Sequence, residues 1–329
     1  MIRGSGQLGS GSAPAVSVVM PVYNSIRYLA ECVESLLGQT FAEFEVLAFD
    51  DGSSDGSLEL LHEYAARDNR LKVFERNHCG YTPHLNEGIR LAQGEFLARM
   101  DSDDVCAAHR FESQVAYLKG HSVIVAVGAW YDFIDSSGRA FATYCTPEAH
   151  ADIDQLHLRG LGGTIGHPTL MARTSAMRAV GGYRPDFEPA EDLDLFLRLG
   201  ELGELANVPE RLLAYRVHDA ATSSQRRAKQ LDANRRILGE AWARRGLPGE
   251  PPLQDHAVRK SESTVELLDE RFNRSMQAGF FGTARDYGVK RCLRRPWSLR
   301  NWVDLGRACY APWRHPTSHS CVMPARGPL

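Results

Sequence analysis

An α/β fold with a mixed, mainly parallel sheet flanked by helices, and a helical appendage at the C-terminal end, is predicted by three observations. Four short apolar runs alternate with three stretches of helical spacing between residues 16 and 104, and such alternation implies parallel strands joined by helices. The strand-like runs stop abruptly at Pro, Gly or carboxylates. Beyond residue 260 the strand-like runs give way to helical spacing alone.

Taken in order, Val16 to Met20 is a buried strand closed by Pro21, and Ile26 to Leu37 places Ile26, Leu29, Ala30, Val33, Leu36 and Leu37 on one helical face. Glu45 to Phe49 is the second strand. It enters the acidic turn Asp50-Asp51-Gly52-Ser53-Ser54-Asp55-Gly56, where Ser54 or Asp55 can cap a helix over Ser57 to Ala66. Leu71 to Phe74 is the third strand, and Pro83 to Ala92 a helix stopped by Gly94. Phe96 to Met100 is a fourth buried strand running straight into Asp101-Ser102-Asp103-Asp104. Right-handed crossovers put the ends of strands one, two and four on one rim, so that Tyr23, Asp51 and the 101–104 cluster converge. The second half is less regular. Strands are expected at Val123 to Trp130, Pro168 to Ala172 and Leu212 to Val217, and helices at 150–160, Ser175 to Val180, Glu191 to Leu202 and Gln225 to Arg244.

The 329 residues allow one large domain with an appendage, and a net charge of −3 gives no basic field for nucleic acid. The expected organisation is a flexible leader at 1–15, a catalytic domain at 16–245, a linker at 246–260, a helical appendage at 261–315 and a disordered tail at 316–329. Seven scattered cysteines without a Cys-x-x-Cys pair indicate neither a zinc knuckle nor a disulfide framework, and reduced thiols in a cytoplasmic protein are expected. The longest apolar run, Val123 to Tyr131, is far short of a spanning helix. Arg285 to Arg314 holds eight basic and two acidic residues among Trp297, Trp302, Tyr310 and Trp313. That stretch suits either peripheral contact with anionic lipid at the inner face of a membrane or a packed appendage with a solvated basic face.

Three acidic groups carry the chemistry. The carboxylates at 101–104 close a core strand, where charge must be solvated, paired or on a metal. Oxygen-only ligands one residue apart suit Mg²⁺ or Mn²⁺, which in turn suit a diphosphate. The competing use of those carboxylates is an acidic turn capping the next helix. Asp51 either accepts hydrogen bonds from a base or ribose or forms a turn beside Gly52. Glu191-Asp192 either supplies a general base or simply favours a helix N-terminus. His218, at a strand end, either completes a metal shell or is structural.

Several segments together resemble the family 2 glycosyltransferases: Val18-Val19-Met20-Pro21-Val22-Tyr23-Asn24, the loop Asp50 to Gly56, Leu85-Asn86-Glu87-Gly88-Ile89, Asp101 to Asp104, Gly181-Gly182-Tyr183, Glu191-Asp192-Leu193-Asp194-Leu195 and Tyr215-Arg216-Val217-His218. They stand in the family's order over residues 16–224. The resemblance implies a GT-A fold, an inverting transfer from a nucleotide-sugar donor (a UDP-, dTDP- or GDP-sugar) to a saccharide or lipid-linked acceptor, and a role in cell-surface polysaccharide or glycan biosynthesis. It places Pro21, Tyr23, Asn24, Asp51, Asn86, Asp101, Ser102 and Glu191 on the donor. It makes Asp103, Asp101 and His218 the metal ligands, and Asp192 the catalytic base. Many members carry Arg where this chain has Leu85, so the diphosphate would turn to His84, Arg99 or Arg76. Two other functions compete. Asp101 to Val105 fits the Asp-x-Asp-x-Val pattern of haloacid-dehalogenase-like phosphatases, but three strands precede it and no partner Lys is apparent. A non-catalytic sugar-nucleotide-binding module is at odds with the intact acidic set.

Overall fold

The computed structural model describes residues 13–218, 227–252 and 264–311. Most of the expected leader, part of the linker and the whole 316–329 tail fall outside them, together with Trp313. The strands are β1 (Val16–Val22), β2 (Phe44–Asp50), β3 (Leu71–Glu75), β4 (Phe96–Arg99), β5 (Val105–Cys106), β6 (Ile124–Ile134), β7 (Ala140–Tyr144), β8 (Met171–Arg173) and β9 (Glu204–Arg216). The helices are α1 (Ile26–Leu37), α2 (Ser57–Ala65), α3 (Tyr81–Leu91), α4 (Arg110–Gly120), α5 (His150–His157), α6 (Thr174–Ala179), α7 (Glu191–Leu199), α8 (Arg227–Arg244), α9 (Thr264–Gln277), α10 (Phe281–Arg294) and α11 (Leu299–Tyr310).

All nine strands form one sheet in the order β3-β2-β1-β4-β8-β6-β9-β5, with β7 paired to β6. β1, β2, β3 and β4 run parallel, as do β6 and β9, whereas β8 reverses direction between β4 and β6. Pro21 lies inside β1 rather than closing it. It is tolerated because the last β4 register pair is Val19↔Arg99, so the side of β1 that would need the missing N–H has no neighbour there. Pro168 sits in a short 3₁₀ turn, His167–Thr169, instead of opening a strand. β5, β7 and the first half of β9 leave no periodic signal in the sequence.

Val18, Met20, Val46, Ala48, Phe96 and Ala98 fill one face of the sheet, and Val19, Leu47, Phe49 and Leu97 the other. This alternation is what a period of two requires of a sheet covered on both sides. It also places Arg99 on the Leu97 face of β4. Gly88 lets α3 lie directly on β1, since a side chain there would collide with Val19.

α8 packs through Ile237 and Leu238 against Phe187, Leu193 and Leu197. α9 and α10 attach to the β6–β7 hairpin, where the Tyr287 hydroxyl donates to Asp135 at 2.7 Å and Arg139 pairs with Asp286 at 2.7 Å, and α11 packs on α10. Cys32, Cys79, Cys106, Cys292 and Cys309 are free thiols, but Cys145 is disulfide-bonded, which corrects the expectation that every cysteine is reduced. Among the described residues, no helix is long and apolar enough to cross a membrane.

Candidate active site

The register pairs Val22 with Asp50, and the Met100 N–H reaches the Val19 carbonyl at 3.1 Å, so the loops leaving β2, β1 and β4 emerge side by side. This is the rim that open α/β sheets use for ligands.

At one end stands Asp51, 2% exposed. Its Oδ1 accepts the Cys79 N–H at 2.8 Å and meets His84 Nε2 at 2.6 Å. Its Oδ2 accepts the Gly80 N–H at 3.0 Å and meets His78 Nδ1 at 2.9 Å. Burial alone would raise the pKa of this carboxyl, but the bonds from His84, Cys79 and Gly80 outweigh it and hold Asp51 below its ordinary value. The exposed Tyr23 ring is stacked by His78 at 4.4 Å. Asn24, at φ 48°, accepts the Ser54 N–H at 2.9 Å and donates its own N–H to Ser53 Oγ at 3.0 Å, which locks the two loops together.

At the centre lies the cluster after β4. Asp101 is gripped by both terminal nitrogens of the buried Arg99, at 2.7 and 2.6 Å. Ser102 Oγ lies 2.6 Å from Ser25 Oγ. Asp103 Oδ2 meets His218 Nε2 at 2.8 Å. Asp104 accepts the Arg216 N–H at 2.7 Å through Oδ1, while its buried Oδ2 has no partner. Burial, then repulsion from Asp103 and Asp101, pushes Asp104 well above the carboxylate range. Burial also raises Asp101 against the pull of Arg99. Crowded, mutually repelling carboxylates are the oxygen-only chemistry that a hard divalent cation prefers, although both Asp101 oxygens are held by Arg99 and the unpartnered oxygen is that of Asp104. A second group, Asp51, Cys79 and His84, has ligand atoms within 4.8 Å of one another, but its thiol and imidazole suit softer metals.

At the other end, α7 begins with Glu191 and Asp192. Glu191 is buried, accepts the Tyr81 hydroxyl at 2.8 Å and leaves Oε2 unpartnered. Burial, followed by the neighbouring Asp192, lifts its pKa to about 7. Asp192 accepts the Leu193 N–H at 2.7 Å and is raised by burial. The Arg99 charge favours ionisation of Asp101, Glu191 and Asp192 alike, so the two acidic groups share one electrostatic field. Asp194 is separate: Arg184 and Arg198 hold it as a structural anchor.

Two sequence expectations change here. Asn86 commits both amide atoms to the backbone of Tyr183, at 2.8 Å each, so it braces the 181–183 loop rather than facing a donor. The Gly182 that lets this loop approach sits at φ +72°. The three candidates for the diphosphate are also engaged: His84 with Asp51, Arg99 with Asp101, and Arg76 with Glu87 at 2.5 Å. His78, Tyr81 and Arg216 were missed. Arg216 left one signal, a charge inside an apolar run, as Arg99 does.

Glu191 sets a testable stability effect. A carboxyl raised from 4.5 to about 7 on folding makes the native state bind the extra proton. Its destabilising contribution is absent below about pH 4.5 and grows to about 3 kcal/mol as pH rises through about 7. Glu191→Gln keeps an acceptor for Tyr81 and should unfold at higher urea than wild type at pH 8, with the gap closing by pH 4.5. A gap independent of pH would contradict the shift.

Residues 17–180 match the family described as Glycosyl transferase family 2. An uncharacterized glycosyltransferase of Haemophilus influenzae is 30% identical over 70% of this chain and 73% of its own length. Staphylococcus aureus TarS, solved with UDP-GlcNAc, shares the fold with a TM-score of 0.56 at 19% identity, over 89% of this chain and 79% of that one. The mannosyltransferase PcManGT of Pyrobaculum calidifontis, solved with GDP-Man and Mn²⁺, does so with a TM-score of 0.53 at 17% identity, over 93% and 82%. With the reversed β8 between β4 and β6, the acidic loop after β4 and the acidic start of α7 all in place, the chain has the GT-A fold and belongs to glycosyltransferase family 2.

Proposed function

We propose that this glycosyltransferase transfers a sugar, with inversion, from a nucleoside-diphosphate donor to an acceptor hydroxyl on a saccharide or lipid-linked glycan, at the cytoplasmic side of the cell envelope. What supports the proposal is that Asp51 and the 101–104 cluster leave neighbouring strands at one rim, and that the buried Arg99 paired with Asp101 also acts on the charge of Asp192.

The base lies over Tyr23 with an N–H toward Asp51. Asp101 and Asp103, with His218 beside them, would hold Mg²⁺ or Mn²⁺, which when bound supplies positive charge against the leaving diphosphate. Ser102 and Pro21 shape the floor between base and phosphate. Asp192 takes the proton from the acceptor oxygen as that oxygen attacks the anomeric carbon from the face opposite the diphosphate. Burial raises the basicity of Asp192 above that of an ordinary aspartate, while the Leu193 N–H and the Arg99 charge pull the other way. Glu191, held by the Tyr81 hydroxyl, orients the start of α7 and offers its unpartnered Oε2 to the sugar. The UDP-GlcNAc and GDP-Man of the two structural neighbours support a nucleotide-sugar donor. A direct test incubates the protein with UDP-, dTDP- and GDP-sugars and Mn²⁺ and follows release of nucleoside diphosphate. Turnover of one of them is expected. Hydrolysis of small phosphomonoesters without it would point instead to the phosphatase pattern.

The four donors around Asp51 fill its acceptor positions. A base N–H must therefore displace one of them, and His78, exposed and stacked where the base would stack, is the one free to leave. His78→Ala should tighten UDP or GDP binding about three- to ten-fold in calorimetry, because no closed state has to be opened. Weaker binding would make His78 a donor contact instead.

A further inference from the structure

α10 and α11 bury Ala284, Tyr287, Cys292 and Ala308 and still leave large apolar side chains outward. Trp297 is 81% exposed, Leu299 78%, Leu293 76% and Tyr310 75%, with Val289, Trp302 and Val303 about half exposed. On α11 the exposed residues Leu299, Trp302, Val303 and Tyr310 fall at i, i+3, i+4 and i+11, which is one stripe. The opposite side, at Asn301 and Ala308, is buried against α10. The stripe is thus left over after the helix has packed. Trp302 is fixed in place by its indole N–H, which donates to the Pro296 carbonyl at 2.9 Å.

The same surface is cationic. Lys290, Arg294, Arg295, Arg300 and Arg307 are all exposed. Among the described residues, Arg300 and Arg307 alone of these five have a carboxylate within 4 Å, and they share one, Asp304, at 3.9 and 3.5 Å. A cavity of about 390 Å³ between α9 and α10 is lined by Leu268, Lys290, Leu293 and Arg294, two apolar and two cationic side chains. Exposed Trp and Tyr in a ring of Arg and Lys match the water–membrane interface, where aromatic rings lie at headgroup level and each cation near an anionic leaflet adds attraction. A second copy fits less well, because pairing this face with itself would bring like charges together.

We propose that the α10–α11 face, centred on Leu293, Trp297 and Leu299, docks the protein on an anionic lipid bilayer. The proposal does not depend on the donor chemistry. The test is co-flotation of the full chain with phosphatidylcholine vesicles and with phosphatidylcholine–phosphatidylglycerol vesicles, at low and high salt. Binding should require the anionic lipid and weaken with salt. Leu293→Glu with Trp297→Glu should lower partition at least ten-fold, and Arg294→Glu with Arg295→Glu should do so while flattening the salt dependence. Circular dichroism and melting of both variants should match wild type, since all four side chains are exposed. Absence of flotation, equal binding to neutral vesicles, or flotation unchanged in both variants would overturn the proposal. So would a dimer in sedimentation velocity that Leu293→Glu with Trp297→Glu disperses, since a second copy would then cover the face.

Discussion

Asp192→Asn should bind donor as wild type does and transfer sugar about 10²–10⁴-fold more slowly. The substitution is isosteric, and the amide oxygen can still accept the Leu193 N–H, so the first turn of α7 keeps its geometry. What disappears is a carboxylate that can take a proton. The wild-type rate should rise with pH as Asp192 ionises, and its midpoint should lie above the ordinary aspartate range, because burial opposes the charge. In the variant that limb should vanish. The measurement is kcat against pH for both proteins, with donor affinity from calorimetry. Near wild-type transfer by Asp192→Asn would remove it as the base and shift attention to Glu191, whose pKa of about 7 also falls in a usable range.

The second large effect is expected from Asp103→Ala. Its carboxylate meets His218 and repels Asp101 and Asp104, each of which is raised in part by it. Removing it should ease that crowding, so the metal-free variant should be as stable as wild type or more so. Donor binding should suffer in the opposite sense. Addition of Mn²⁺ should tighten UDP binding at least ten-fold in wild type, as neutralising a diphosphate against a hard cation requires, and should change it little in the variant. An unchanged metal response in Asp103→Ala calorimetry would mean that the cation sits elsewhere. The combination of restored stability with lost metal response is what separates a binding site from a merely structural acidic turn.

Much of this was legible before any coordinates. The first ninety residues alternate so regularly that β1 to β4, their parallel order and the shared rim followed from periodicity and crossover handedness. The second half resisted for local reasons. β9 runs over Glu204–Arg216, but Pro209, Glu210 and Arg211 interrupt its alternation, and the register shifts at Trp130 opposite that stretch. β5 is two residues long, too short for any pattern to register. Asp51 and the acidic cluster were visible because carboxylates at strand ends are conspicuous. Their partners were not. Cys79 and Gly80 act through backbone N–H groups, and Tyr81 reaches Glu191 across 110 positions of chain, so no spacing rule connects them. Asn86 was conspicuous for the opposite reason: its place in a family motif suggested donor contact, whereas its amide is consumed by the Tyr183 backbone. The outward apolar stripe of α11 was ambiguous in sequence, because amphipathic spacing does not say which face is covered.

The central claim is that one cation and one donor share the rim between Asp51 and Asp192. Anomalous diffraction from a crystal grown with Mn²⁺ and a nucleoside diphosphate tests it most directly. The expected result is a single manganese peak against Asp103 and Asp101, with the base over Tyr23 and Asp192 facing the open side of the diphosphate. A manganese peak at Asp51, Cys79 and His84, or a nucleotide bound away from Tyr23, would contradict it.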